Sequence, residues 1–127
     1  MSGVLVDSDI LIEVLRGHNP EVARLWASTV NANEALFYSP VTLAEIRHGM
    51  RDREREPTER VFSSMMSVPI ETEIGTRAGD YLRAFHASHA IELGDALIAA
   101  TASIHHLDLW TQNRKHFPMK DVRFFVK

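Results

Sequence analysis

Three acidic residues stand where apolar neighbours make a carboxylate unfavourable unless it has a partner. Asp7 ends a short apolar segment, Glu45 lies among apolar residues of a helical segment, and Asp95 precedes the most apolar helical stretch. Each carboxylate therefore needs a compensating group. Oxygen ligands suit hard divalent cations such as Mg²⁺ or Mn²⁺, which can activate water and stabilise the charge that develops on a phosphodiester. Together the three carboxylates predict a hard-cation site suited to phosphodiester chemistry.

Each of these residues also has a purely structural interpretation. Asp7 is a suitable N-cap for the helical segment that follows it. Thr42 and Glu45 have the Thr-x-x-Glu spacing of a capping box. Asp95 lies at the start of a helical segment, where the helix dipole favours an anion. The metal interpretation therefore depends on whether the fold brings the three side chains together.

Strand patterns that alternate with helical patterns predict the scaffold for these residues. We expect a three-layer α/β/α sandwich, because alternating elements form a parallel sheet that is covered by helices on both faces. The carboxyl ends of parallel strands share one edge of the sheet, where ligands collect. The four or five short strands of this sheet are expected at residues 4–6, 36–39, 68–70, 107–111 and 122–126.

Helical spacing of apolar residues fills the segments between these strands. The helix with apolar residues on most sides is expected at the centre of the domain. The charged segment 47–60 alternates in sign without an apolar stripe and is expected to face solvent. Helices are expected over residues 8–16 with a stop at Gly17, after Asn19-Pro20, over residues 41–50, from Pro57, over residues 72–89, and around residues 96–100.

Composition limits the class of protein. A chain of 127 residues is expected to form one domain, over residues 1–127. It has no Cys, so a disulfide framework and a thiolate metal site are excluded, and the cytoplasm is the expected compartment. A net charge of −3 argues against nonspecific coating of nucleic acid. No segment approaches the ~20 apolar residues that span a bilayer, so no membrane partner is expected.

Four segments resemble, in order and over nearly the whole chain, the motifs of PIN-domain nucleases, and most closely the VapC toxins of toxin–antitoxin pairs. They are VDSDILI (6–12), SPVTLAEI (39–46), GDALIAATA (94–102) and LWTQNRKHF (109–117). The resemblance implies a metal-dependent endoribonuclease that is usually dimeric and is silenced by a cognate VapB-type antitoxin. It also implies that Asp7, Glu45 and Asp95 are the catalytic and metal-binding acids, with Mg²⁺ or Mn²⁺ as cofactor.

The last motif departs from the family pattern. Many members carry a fourth acidic residue directly before the Phe, where this chain has His116, and the departure concerns a second metal position. In the same motif we expect Thr111, Asn113 and Arg114 to contact the substrate. Residues 112–127 carry five basic residues against one acidic residue, a strip that either guides an RNA backbone or is simple surface charge.

Two other classes of protein begin with a similar strand and acidic pair. A receiver-type signalling domain needs a phosphoacceptor aspartate at the end of a middle strand, but Asp52 lies in the charged segment. A phosphatase with the Asp-x-Asp of Asp7 and Asp9 needs a later acidic pair and usually a longer chain. The main alternative to a toxin is therefore a PIN-domain nuclease that processes cellular RNA without an antitoxin.

Overall fold

A five-stranded, fully parallel sheet forms the centre of the structure, a computed structural model that describes residues 2–125. The order across the sheet is β3-β2-β1-β4-β5. The expected parallel sheet of four to five strands is therefore confirmed. The strands are β1 (Val4–Val6), β2 (Leu36–Tyr38), β3 (Met66–Ser67), β4 (Asp108–Trp110) and β5 (Arg123–Phe124).

Helices cover both faces of this sheet, which confirms the three-layer sandwich. Side chains alternate between the two faces of a strand, so Leu5 joins one apolar cluster while Val4 and Val6 join the other. The cluster of Leu5 includes α5 and the largely buried α6, and the opposite cluster includes α1 to α4. The helices are α1 (Ser8–Arg16), α2 (Pro20–Asn31), α3 (Pro40–Gly49), α4 (Arg55–Ser63), α5 (Thr72–His89) and α6 (Leu93–His105).

The chain reverses its direction of travel across the sheet at β1. It first adds β2 and β3 on one side of β1, and then crosses over to add β4 and β5 on the other side. Residues that follow β1 and β4 therefore flank a topological switch point, the usual ligand-binding crevice of an open α/β sheet. The backbone amide of Asp7 donates to the carbonyl oxygen of Trp110 at 3.0 Å, which holds the ends of the two strands together.

The edge strands differ from expectation. The strand expected at residues 68–70 lies instead at Met66–Ser67. The backbone amide of Val68, just after this strand, donates to the carbonyl oxygen of Tyr38 on β2. The next residue, Pro69, has no amide to donate. The final strand covers only Arg123–Phe124, and Val126 of the expected strand lies outside the described residues.

Helix boundaries follow local sequence closely. The first helix ends at Arg16 because Gly17 takes the left-handed conformation with φ of 70°. The fourth helix begins at Arg55, two residues before the expected Pro57, which is tolerated in a first helical turn. Among residues 2–125, no helix has the length and apolar character needed to cross a membrane.

Candidate active site

Asp7 joins the end of β1 to the start of α1. Its Oδ1 atom accepts a hydrogen bond from the Ser8 amide at 2.8 Å, so Asp7 is the N-cap of the helix, as its structural interpretation predicts. Its Oδ2 atom accepts from the Thr111 hydroxyl, which lies beyond β4, at 2.9 Å. One carboxylate therefore caps the helix and also faces the crevice, so the two interpretations are compatible.

The environment of Asp7 disfavours its charged form. Burial raises the pKa of Asp7 from 3.8 to about 6, and the negative charges of Asp9 and Glu45 add to the shift. The hydrogen bonds from Thr111 and Ser8 act in the opposite direction but are too weak to cancel it. A cation at this position would offset both the cost of burying a charged carboxylate and the repulsion from the neighbouring carboxylates.

Asp9 is a member of the site that the motif-based assignment of catalytic residues misses. Its Oδ2 atom accepts from the Gln112 amide at 2.9 Å and lies 3.4 Å from the Thr111 hydroxyl. Its Oδ1 atom is buried and has no hydrogen-bond partner within residues 2–125. Burial raises the pKa of Asp9 as well. The Asp-x-Asp spacing was the sequence feature that indicated it, but the spacing alone does not reveal that the first turn of α1 directs Asp9 toward β4.

Glu45 lies on α3 and is an exposed residue, not the buried one that its apolar neighbours suggest. The helix is capped by Ser39, whose hydroxyl accepts from the Val41 amide at 3.1 Å, so Glu45 is not part of a capping box with Thr42. Packing around the carboxyl raises the pKa of Glu45, and the charges of nearby acids raise it further. Glu45 is therefore available to the crevice.

Asp95 approaches the same region from the first turn of α6. It is the third residue of this helix and forms a capping box with Glu92, whose amide donates to its Oδ2 atom at 3.1 Å. The charge of Asp95 is one cause of the raised pKa of Glu45. A Cβ atom at the preceding residue, Gly94, would lie 3.6 Å from the Glu45 Oε2 atom, an ordinary contact distance, so the start of α6 lies directly beside the Glu45 carboxylate. Asp95 is thus both a capping residue and a neighbour of Glu45.

The segment after β4 supplies the remaining polar groups. The Thr111 hydroxyl accepts from the Asn113 amide at 3.0 Å, and the Asn113 side-chain nitrogen lies 2.8 Å from the His116 Nδ1 atom. The same Nδ1 atom is 3.6 Å from the Asp95 Oδ2 atom. His116 therefore links the last motif to the acidic residue of α6.

The donor atoms fit a hard divalent cation, although they do not form a finished coordination sphere. Within the described residues, neither Lys nor Arg forms an ion pair with any of the four acids, and no three acidic or histidine side chains converge closely enough to hold a metal unaided. Burial, with a smaller contribution from repulsion between the carboxylates, raises the pKa of Asp7 and Glu45, and the Asp9 Oδ1 atom has no partner within residues 2–125, so the region is short of positive charge. All four acids offer the oxygen ligands that Mg²⁺ and Mn²⁺ prefer.

The basic segment 112–127 does not form one continuous strip. Arg114 and Lys115 are exposed immediately after the crevice, and the Arg114 guanidinium lies 4.8 Å from the centre of the Phe124 ring. Arg123 instead pairs with Asp108 at 3.3 Å, at the amino end of β4 and thus the opposite edge of the sheet. Lys127 lies outside the described residues. Arg114 and Lys115 therefore lie close to the crevice, whereas Arg123 lies at the opposite edge of the sheet.

Comparison with known proteins identifies relatives over nearly the whole chain. Residues 4–123 match the PIN domain family. Ribonuclease VapC10 of Mycobacterium tuberculosis is 44% identical over 117 residues, which cover 91% of this chain and 86% of that protein. Ribonuclease VapC19 of the same organism is 35% identical and covers 91% of this chain and 92% of its own length.

Solved structures show the same fold. A toxin–antitoxin complex from Klebsiella pneumoniae contains a chain that is 27% identical, with a TM-score of 0.72 and coverage of 94% of this chain and 95% of that chain. A chain of VapBC2 from Rickettsia felis, bound to a DNA fragment from its promoter, superposes with a TM-score of 0.77 over 98% of both chains at 20% identity. At that lower identity the likeness concerns the fold alone.

Proposed function

This chain belongs to the PIN domain family, and on that premise we propose that it is a metal-dependent endoribonuclease that acts as the toxin of a toxin–antitoxin pair. The observation that carries the proposal is the group of mutually repelling carboxylates at the switch point between β1 and β4. Two ribonuclease relatives and the toxin–antitoxin complex of similar fold support it.

The proposed chemistry assigns a role to each acid. Nucleases of this type generally depend on a divalent metal, and we infer that Asp7, Glu45 and Asp95 hold Mg²⁺ or Mn²⁺. When bound, such a cation supplies an activated water and neutralises charge on the phosphodiester. Thr111 orients the Asp7 carboxylate through its hydrogen bond. Asn113 and Arg114 then meet the RNA strand beside the carboxylates.

The biological assignment follows from the same proposal. We treat residues 1–127 as one nuclease domain that acts in the cytoplasm, where its RNA substrate is made. It is proposed to form a homodimer and to be silenced by a VapB-type antitoxin that covers the acidic crevice. A basic side chain of the antitoxin would replace the missing positive charge there, since carboxylate clusters attract cationic groups.

Incubation of the purified protein with total cellular RNA tests the nuclease. RNA should be cleaved at defined positions in Mn²⁺ or Mg²⁺ and left intact in excess chelator, while single-stranded DNA should survive both conditions. Cleavage that persists in chelator would contradict a metal-dependent mechanism. Co-expression with the product of the adjacent reading frame tests the toxin assignment, because a cognate antitoxin should abolish cleavage and restore growth.

Arg114→Ala is expected to raise KM for RNA roughly fivefold to tenfold with little change in kcat. One lost phosphate contact is worth about 1 kcal/mol, which corresponds to a change of that size. The Arg114 guanidinium lies over the Phe124 ring, 4.8 Å from its centre, and forms no ion pair within the described residues, so its N–H groups are available to a phosphate. The matched control is Arg123→Ala, at the opposite edge of the sheet. Equal effects of the two substitutions would show that only overall charge matters.

His116→Asp is expected to tighten Mn²⁺ binding by about tenfold, since it places a second negative charge beside Asp95 at the rim of the crevice. Calorimetric titration of the purified variant with Mn²⁺ measures this effect directly. His18→Asp makes the same change at an exposed position beyond the far end of α1 and serves as control. Unchanged affinity in His116→Asp would mean that charge is not limiting at this position.

A further inference from the structure

Asp7 and Asp9, at the start of α1, accept hydrogen bonds from residues 111–113, the loop that follows β4. We propose that Asp9 is a positioning residue that holds this loop, and with it the RNA-contacting residues beyond, in register with the catalytic carboxylates. This inference rests on the proposed ribonuclease function and assigns a role to an acid outside the catalytic set. We refer to these contacts between α1 and residues 111–113 as the latch.

The central bond of the latch is made to the backbone. The Gln112 amide donates to the Asp9 Oδ2 atom at 2.9 Å, across 103 positions of sequence. A bond to a main-chain amide fixes the path of the chain directly, whatever side chain stands at that position. The 3-10 turn Arg114–His116 begins two residues later, so the orientation of Gln112 sets where that turn starts.

The Thr111 hydroxyl gives Asp9 only secondary help. It donates to the Asp7 Oδ2 atom at 2.9 Å and is more distant from the Asp9 Oδ2 atom, at 3.4 Å. A hydroxyl has one proton to donate, and the shorter bond takes it. The same oxygen accepts from the Asn113 amide. Thr111 is therefore committed to Asp7 and Asn113, and the Gln112 amide depends on Asp9.

The position requires an acceptor oxygen more than a negative charge. The second oxygen of Asp9, Oδ1, is buried and forms no hydrogen bond within residues 2–125. The charge of Asp9 also acts against Asp7, which it makes harder to ionise. Asparagine keeps the shape and one acceptor oxygen, whereas alanine removes the acceptor. The two substitutions therefore separate positioning from metal binding.

The experiment compares wild type, Asp9→Asn, Asp9→Ala and the surface control Asp80→Ala in three measurements. Hydrogen exchange of the Gln112 amide should be about tenfold faster in Asp9→Ala and unchanged in Asp9→Asn and the control. KM for RNA should rise about tenfold in Asp9→Ala and stay within about twofold in Asp9→Asn. Mn²⁺ affinity, measured by calorimetry, should fall by the same factor, at most about tenfold, in Asp9→Asn and Asp9→Ala, because each removes one negative charge near Asp7, and should be unchanged in Asp80→Ala. Asp9→Ser, too short to reach the amide, replaces Asp9→Ala if that variant does not fold.

Three results would overturn the proposal. A loss of Mn²⁺ affinity of about a hundredfold or more in both Asp9→Asn and Asp9→Ala would make Asp9 a metal ligand. The contact would be merely structural if Asp9→Ala had a lower melting temperature but the wild-type KM, measured well below that melting temperature. Unchanged exchange at Gln112 would remove the latch itself. Failure of the wild-type protein to cleave RNA would instead count against the proposed function, since the exchange measurement still decides whether Asp9 holds the loop.

Discussion

Asp7→Asn is expected to reduce the rate of RNA cleavage by about a thousandfold or more while the fold stays intact. Asparagine has nearly the same shape and keeps an oxygen that can accept from the Ser8 amide, so the cap of α1 is preserved. The substitution removes the negative charge that the proposed metal requires. A thousandfold loss corresponds to about 4 kcal/mol of transition-state stabilisation, a reasonable share for a principal metal ligand.

Single-turnover cleavage in saturating Mn²⁺ measures this loss, and circular dichroism checks that the variant is folded. Asp80→Asn removes the same charge from an exposed position on α5 and should cleave at the wild-type rate. If Asp7→Asn retained a tenth of the wild-type rate, Asp7 would be a helix cap and nothing more. The proposed metal site would then have to be built from other residues.

The second large effect concerns stability without metal. The pKa of Asp7 is about 6 in the folded protein, whereas an aspartate in the unfolded chain has its ordinary pKa of 3.8. Between these two pH values the folded state holds a proton that the unfolded state has released. The free energy of unfolding therefore falls as pH rises through this window, by up to about 3 kcal/mol from Asp7 alone. Asp9 and Glu45, whose pKa values are also raised, change stability in the same direction.

Asp7→Asn removes the contribution of Asp7 to this slope. In chelator, the variant and the wild type should have similar stability near pH 4, and the variant should be more stable by up to about 3 kcal/mol near pH 7.5. Urea unfolding across this pH range measures the difference. Added Mn²⁺ should stabilise the wild type selectively, since a ligand that binds only the folded state raises its stability. Parallel pH profiles of the two proteins would contradict the raised pKa of Asp7.

These two predictions describe one property of the site. The carboxylate that is expected to be needed for cleavage is also the one that most disfavours the metal-free fold. A protein that keeps such a group gives up stability at the place where it functions. The opposite signs expected for Asp7→Asn, lower activity and higher metal-free stability, distinguish a functional acid from a residue that serves only the fold.

Local sequence alone determined the elements that carry Asp7. The apolar segment before it gives β1, and Gly17 ends α1 at the expected residue. Asn19 caps α2, and α6 is an apolar, largely buried helix, both as local sequence patterns predict. These features depend on neighbours within a few positions along the chain, such as a capping side chain or the spacing of apolar residues, so they can be predicted before the fold is known.

The tertiary structure alone decided which groups meet. Asp7 and Thr111 are 104 positions apart, and their bond exists because β1 and β4 are paired in a particular register. The same pairing turns Asp9 toward Gln112, and the pairing of β4 with β5 carries Arg123 away to the opposite edge. Register between distant strands is set by packing of the whole sheet, and a shift of one residue would reverse every side chain. Asp7, Glu45 and Asp95 could be proposed from the sequence, but the contribution of Asp9 and the hydrogen-bond partners of these acids depend on this packing.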